Sequence, residues 1–155
     1  MLRWMLAATI LLWLDQASKW LCLNYLVLYK PVSIMPFFNL LLAYNEGAAF
    51  GILSSENGWQ RILFIVLAMG VSSLIIYWLY KLSYSNFLES SALVLILGGA
   101  LGNLLDRIYY GYVIDFIDFY VGNWHWYVFN LADVFICIGA ALFTYITLFR
   151  QHVNH

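Results

Sequence analysis

Four long stretches of this chain are apolar at nearly every position: about Trp4 to Leu28, Ile62 to Tyr80, Leu88 to Leu105 and Val128 to Phe149. A bilayer core about 30 Å thick needs roughly 20 consecutive apolar residues in helical conformation. Each stretch is therefore expected to be a transmembrane helix. Continuous apolar runs, without the strict alternation of a barrel strand, argue against a membrane β-barrel. The first stretch contains Asp15 and Lys19, resumes at Trp20 to Leu28, and lacks a small-x-small cleavage site in a polar setting. It is expected to be a retained helix rather than a removed leader.

The connections carry a different pattern. Residues 29–61 hold Pro31 and Pro36, then the apolar and aromatic run Phe38 to Tyr44, then the turn-like cluster Asn45-Glu46-Gly47. This reads as short strands at a membrane surface. The connection after the third helix is rich in Tyr, Phe and Trp, from Tyr109 to Tyr127. Such rings favour the interfacial layer, as an anchoring belt or as the wall of a lipid-facing cleft. No internal repeat interrupts the chain, so residues 1–155 are expected to form a single membrane-embedded domain.

Composition agrees with this pattern. Of 155 residues, 65% are apolar and 10% charged, against roughly 25% charged in ordinary soluble domains. A soluble fold of this size could not bury so much apolar surface. Seven Lys+Arg against eight Asp+Glu leave no basic surplus for phosphates, so no nucleic-acid partner is expected. Cys22 and Cys137 form no disulfide framework or metal spacing. The positive-inside rule does not orient the chain: Arg3, Lys81 and Arg150 on one side balance Lys30, Arg61 and Arg107 on the other.

Polar groups inside a bilayer are costly and ask for a reason. On four crossings, Asp15, Lys19, Asn45, Glu46, Asn103, Asp106, Arg107, Asp115, Asp118, Asn130 and Asp133 all fall toward one face. Asp15 and Lys19 are one helical turn apart and able to pair. The run Gly98-Gly99-Ala100-Leu101-Gly102 lets the third helix approach its neighbours before Asn103, Asp106 and Arg107. Asp106 suits helix packing and a salt bridge, whereas Asn103 and Arg107 suit a supporting role at a site. Asp115, Asp118 and Asp133 each have apolar flanks, which raise a carboxyl pKa, and a second carboxylate nearby raises one of a pair further. Such a pair can divide acid and base roles. Taken singly, each is equally a helix-terminal or structural acid. A metal site using His125 with these acids lacks distinctive spacing. A small transporter would place its polar groups near the midplane between repeats, and a structural subunit would leave the acids without a purpose.

Five motifs occur in order: Asp15-Gln16-Ala17-Ser18-Lys19, Asn45-Glu46-Gly47-Ala48-Ala49-Phe50, Gly98 through Arg107, Val113-Ile114-Asp115-Phe116-Ile117-Asp118, and Phe129-Asn130-Leu131-Ala132-Asp133. With them the chain resembles the lipoprotein signal peptidases, or signal peptidase II. The resemblance implies an all-α membrane protein with four transmembrane helices. It adds a small extracytoplasmic β-cradle between helices 1 and 2 and a short periplasmic helix between helices 3 and 4. It implies an aspartic endopeptidase of the bacterial cytoplasmic (inner) membrane, with cytoplasmic termini and the site near the outer leaflet. The catalytic pair falls on Asp115 and Asp133. Supporting or substrate-binding roles fall on Asp15, Lys19, Asn45, Asn103, Arg107 and Asn130. The implied substrates are diacylglyceryl-modified prolipoproteins cut before the lipidated cysteine, with membrane lipid as surroundings and globomycin as the type of inhibitor. No metal and no cofactor are expected. Asp118 is expected to tolerate replacement better than either member of the pair.

Overall fold

A computed structural model of the chain describes residues 1–47, 59–82 and 86–150. Ala48, Ala49 and Phe50 of the second motif lie outside these residues. The order of elements is α1 (Leu2–Tyr25), β1 (Val32–Met35), β2 (Phe38–Asn45), α2 (Trp59–Lys81), α3 (Phe87–Tyr109), β3 (Val113–Val121), β4 (Trp124–His125) and α4 (Leu131–Arg150). The architecture is mostly helical with one small antiparallel sheet, ordered β1-β2-β3-β4.

Among the described residues, three helices are long and apolar enough to cross a membrane: α2, α3 and α4 over Leu131–Phe149. Helix α1 is 24 residues long, but Asp15, Gln16 and Lys19 interrupt its apolar run. Helix α3 is the hub and packs against α1, α2 and α4. Over half of its most apolar stretch is buried, 56%, against 17% in α2 and 11% in α4. Small residues make these approaches close. A methyl group added at Gly99 would strike the Ala132 carbonyl, one at Gly102 the Asp15 carboxylate, and one at Gly98 would lie 2.7 Å from Leu11 Cβ. One apolar core joins Trp4, Ala8, Ile75, Leu79, Leu93, Val94 and Leu97 from α1, α2 and α3. A second, Cys22, Leu42, Ile114 and Phe116, seats the sheet on the end of α1.

The sheet corrects one expectation. No helix lies between α3 and α4; residues 113–125 form β3, a turn and β4 instead. The cause is local. Val113 to Val121 is β-branched or aromatic at most positions, which suits a pleated surface, and β2 pairs antiparallel with it from Asn45↔Val113 to Phe38↔Phe119, with one register shift between Leu40 and Ala43. Gly122, with φ of +61°, opens the two-residue turn between Val121 and its partner Trp124, where a primed hairpin turn wants glycine first. Pro36-Phe37 makes the β1–β2 turn in the same economical way, with Phe37 at φ +72° in the position where a type II turn needs positive φ.

Helix ends also differ from the apolar runs. Helix α1 stops at Tyr25 because Leu26 is already extended. Helix α3 continues past Asp106 and Arg107 to Tyr109. Arg61 of α2 donates to the Arg107 and Ile108 carbonyls at 2.9 and 3.0 Å, satisfying acceptors that a helix end leaves open. Helix α4 starts at Leu131 because Asn130 caps it: Asp133 N donates to Asn130 Oδ1 at 3.0 Å, and Asn130 N donates to Asp133 Oδ2 at 3.3 Å. This is a reciprocal capping box.

Candidate active site

The capping box brings Asp133 to the first turn of α4, beside the end of β3 that carries Asp115. Both acids line one cavity of about 860 Å³ together with Asn45, Glu46, Asn103 and Arg107. The remaining wall is apolar and aromatic, from Ala43 and Val113 through Trp126, Tyr127, Val128 and Phe129 to Ile136, Cys137 and Ile138.

Three asparagines hold the two acids. Asn130 Nδ2 donates to Asp115 Oδ1 at 2.7 Å, and Asn45 Nδ2 donates to Asp115 Oδ2 at 3.0 Å. Asn103 Nδ2 donates to Asp133 Oδ1 at 2.7 Å. Asn130 also donates from Nδ2 to Asn103 Oδ1 at 3.1 Å, so this buried residue spans both carboxylates and the third amide. Asp115 is 2% exposed. Burial pushes its carboxyl up, and the neighbouring Asp133 charge pushes further, against the Asn45 and Asn130 hydrogen bonds and the Lys19 charge; the result is about 7. A carboxyl in this state holds a proton near neutrality.

Behind the acids lies a charged cluster that water does not reach. Lys19 Nζ meets Asp106 Oδ2 at 2.7 Å, Asp15 Oδ2 at 2.8 Å and Asn103 Oδ1 at 3.1 Å. These use all three ammonium hydrogens. Asp15 Oδ1 accepts from Ala132 N at 2.9 Å, and Asp106 accepts from Gln16 Nε2 at 2.9 Å and Ile114 N at 3.2 Å. The cluster thus fastens α1, α3, the start of α4 and β3 at one point. Asp106 belongs to it and not to the cavity lining. Arg107 donates from Nη1 to the Asn103 carbonyl at 3.3 Å, lies 5.0 Å from the Phe64 ring centre, and sits within electrostatic reach of Asp133 and Asp115.

Each residue singled out in the sequence is thereby placed. Asn45, Asn103, Arg107, Asp115 and Asp133 line the cavity, Asn130 bridges the acids, and Asp15 and Lys19 stand one layer back. Asp118 is elsewhere. It lies three residues beyond Asp115 on a strand, so the pleat turns it to the other face. There it is fully buried and bonded by Asn39 and His125. The sequence gives no site signal for Gln16 or Arg61. Gln16 stands inside the first motif, but only the packing of α1 on α3 shows its partners. Arg61 reads as a plain interfacial cation.

A sequence model of the family described as Signal peptidase (SPase) II matches residues 7–149. A lipoprotein signal peptidase of Polynucleobacter necessarius is 53% identical over 142 residues, covering 92% of this chain and 86% of that one. One from Photorhabdus laumondii is 49% identical over 141 residues, covering 91% and 84%. Two solved structures described as bacterial membrane enzymes superpose with TM-scores of 0.83 and 0.82 at 28% and 29% identity. They cover 99% and 96% of this chain and 91% and 94% of theirs. The chain belongs to the signal peptidase II family, a family of peptidases.

Proposed function

We propose that this chain removes the signal peptide from diacylglyceryl-modified prolipoproteins, cutting before the lipidated cysteine, with Asp115 and Asp133 as an aspartic dyad. The observation that carries the proposal is that Asp115 and Asp133 line one cavity and are joined from behind by Asn130, which donates to Asp115 and caps against Asp133. In the cleavage step the ionised aspartate takes a proton from a water, whose oxygen attacks the scissile carbonyl carbon. The protonated aspartate gives its proton to the carbonyl oxygen, so the tetrahedral intermediate forms without a free oxyanion. Collapse breaks the C–N bond as a proton passes to the leaving nitrogen. Burial and the neighbouring Asp133 charge favour the proton on Asp115. Asn45, Asn103, Arg107 and Asn130 position the pair and the peptide backbone. Asp15 and Lys19 support them from behind.

The same reading makes residues 1–155 a single membrane-embedded domain with four crossings of the bacterial inner membrane. Helix α1 supports a fourth crossing because its charges are internal. Asp15 and Lys19 are 0% and 1% exposed, while Leu6, Ile10, Trp13, Leu14, Trp20 and Leu21 face outward. The termini then lie in the cytoplasm, the sheet and cavity lie at the outer leaflet, acyl chains of substrate and membrane lipid reach the apolar wall, and a globomycin-type inhibitor competes there. The test uses purified protein in lipid and a diacylglyceryl-modified precursor, with cleavage followed by mass spectrometry. Asp115→Asn and Asp133→Asn should each insert and fold yet leave the precursor intact. Turnover retained by either variant refutes the dyad.

A further inference from the structure

We propose that His125 and Asp118 form a clasp that positions the aromatic cavity wall, residues 126–129, for substrate; the role of the cavity rests on the function proposed above. Asp118 is fully buried and Asn39 nearly so. A buried carboxylate demands donors. Asp118 takes one from Asn39 Nδ2 at 2.9 Å, across the β2–β3 pair, and one from His125 Nδ1, which lies 2.9 and 3.0 Å from its two oxygens. Facing a carboxylate, Nδ1 carries the hydrogen, and it does so in the neutral tautomer as well as in the cation. The Tyr120 ring stacks on the imidazole with centres 5.3 Å apart.

The chain after His125 gives the clasp its purpose. Trp126, Tyr127, Val128 and Phe129 line the cavity that holds Asp115 and Asp133, and Asn130 follows directly. The far end of this wall is fixed by three backbone bonds: Phe129 N donates to Ile117 O at 3.1 Å, and Phe129 O accepts from Phe116 N and Ile117 N at 3.0 and 2.8 Å. The near end hangs on β4, a strand of two residues, with one further backbone bond from Trp126 N to Phe119 O at 2.7 Å. So short a strand is marginal by itself, and segments with few buried contacts open most readily. His125–Asp118 is a side-chain hydrogen bond that ties this end to a buried carboxylate of the sheet. Both are positioning residues. They touch neither dyad member, and they set where the wall stands.

The experiment compares wild type, His125→Ala and His125→Asn as full chains in lipid. Asparagine places its Nδ2 close to the imidazole Nδ1 and keeps the donor. Hydrogen exchange at residues 126–128 should accelerate in His125→Ala, most at Trp126, while Phe129 stays protected, and return toward wild type in His125→Asn. With the lipidated precursor, His125→Ala should raise KM about tenfold, the scale of one lost hydrogen bond to a charge, with kcat within about twofold; His125→Asn should restore KM. A destabilised fold without a positioning defect would lower the active fraction and hence kcat, leaving KM unchanged, and that result overturns the proposal. So does unchanged exchange in His125→Ala, or an asparagine variant as impaired as alanine. If wild type leaves the precursor uncut, the proposed function fails, and the exchange pattern alone then decides whether the clasp exists.

Discussion

Replacing Asp115 by asparagine should trade activity for stability, and the trade should depend on pH. The carboxyl ionises near 3.8 in an unfolded chain and near 7 in the fold, because burial and the Asp133 charge disfavour the anion. A carboxyl raised in this way favours the fold when protonated. Its penalty is absent below pH 3.8, grows between 3.8 and 7, and is complete above 7. Complete ionisation costs the fold ~4 kcal/mol, and most of that accrues between pH 5 and 9. Asparagine has no such cost. It does present one oxygen to two amide donors, Asn45 Nδ2 and Asn130 Nδ2, a mismatch of ~1–3 kcal/mol at any pH. The two proteins should therefore be close in stability at pH 5, with the variant ahead at pH 9. The measurement is thermal unfolding of both in the same lipid–detergent mixture at both pH values. The readout is the difference in Tm, since groups that titrate in both proteins cancel. That difference should move in favour of the variant by ~5–10 °C from pH 5 to pH 9. A difference that stays constant, or moves the other way, would mean that Asp115 titrates in the fold as an ordinary carboxyl, and the argument from burial and Asp133 would fail.

Three further outcomes follow from the same contacts. Cleavage of a lipidated precursor should decline as pH rises through about 7, where Asp115 loses its proton, approaching tenfold per pH unit, and a profile of kcat/KM against pH checks it. Lys19→Met should destabilise the fold by ~3–5 kcal/mol, because Asp15 and Asp106 are left buried against each other without their shared cation; combining it with Asp106→Asn should recover part of the loss in the same unfolding assay. Gly99→Ala should cost ~1–3 kcal/mol by forcing α3 off the Ala132 carbonyl, and should lower kcat as well, since Asp133 moves with α4 away from Asn103.

How far the fold could be read from the sequence depended on the range of the cause. Apolar runs located all four helices, because the length and hydropathy of a segment are local properties. Their ends were misplaced where a distant residue decides them. Arg61 completes the last turn of α3 from another helix, so the charges at Asp106 and Arg107 marked an apparent end within a continuing helix. Tyr29 takes φ of +57° and donates to the Leu42 carbonyl at 2.9 Å, turning the chain into the sheet after α1 has stopped. The β3 strand was legible in principle from its richness in aromatic and β-branched residues. The two-residue side-chain period of a strand separates Asp115 from Asp118, close as they are in sequence. That Asp15 and Lys19 pair followed from helical spacing. That Asp106 shares the same lysine required α1 to cross α3 at Gly102.

The charged cluster behind the cavity has a consequence for the acids in front of it. Burying Lys19, Asp15 and Asp106 stabilises little by itself, since desolvation offsets most of the attraction between buried ions. What it does is orient an amide. Asn103 Oδ1 accepts from Lys19 Nζ and from Asn130 Nδ2, both of which are donors only at those atoms. With its oxygen committed to them, Asn103 must turn its NH2 toward Asp133. The amide cannot flip without setting its NH2 against two donors, one of them a full positive charge. An ammonium one layer back thus keeps a hydrogen-bond donor aimed at Asp133, while Asp115 takes its donors from Asn45 and Asn130. The two carboxyls stand in different surroundings although they share a cavity, and a difference of that kind lets one of two identical groups serve as acid and the other as base.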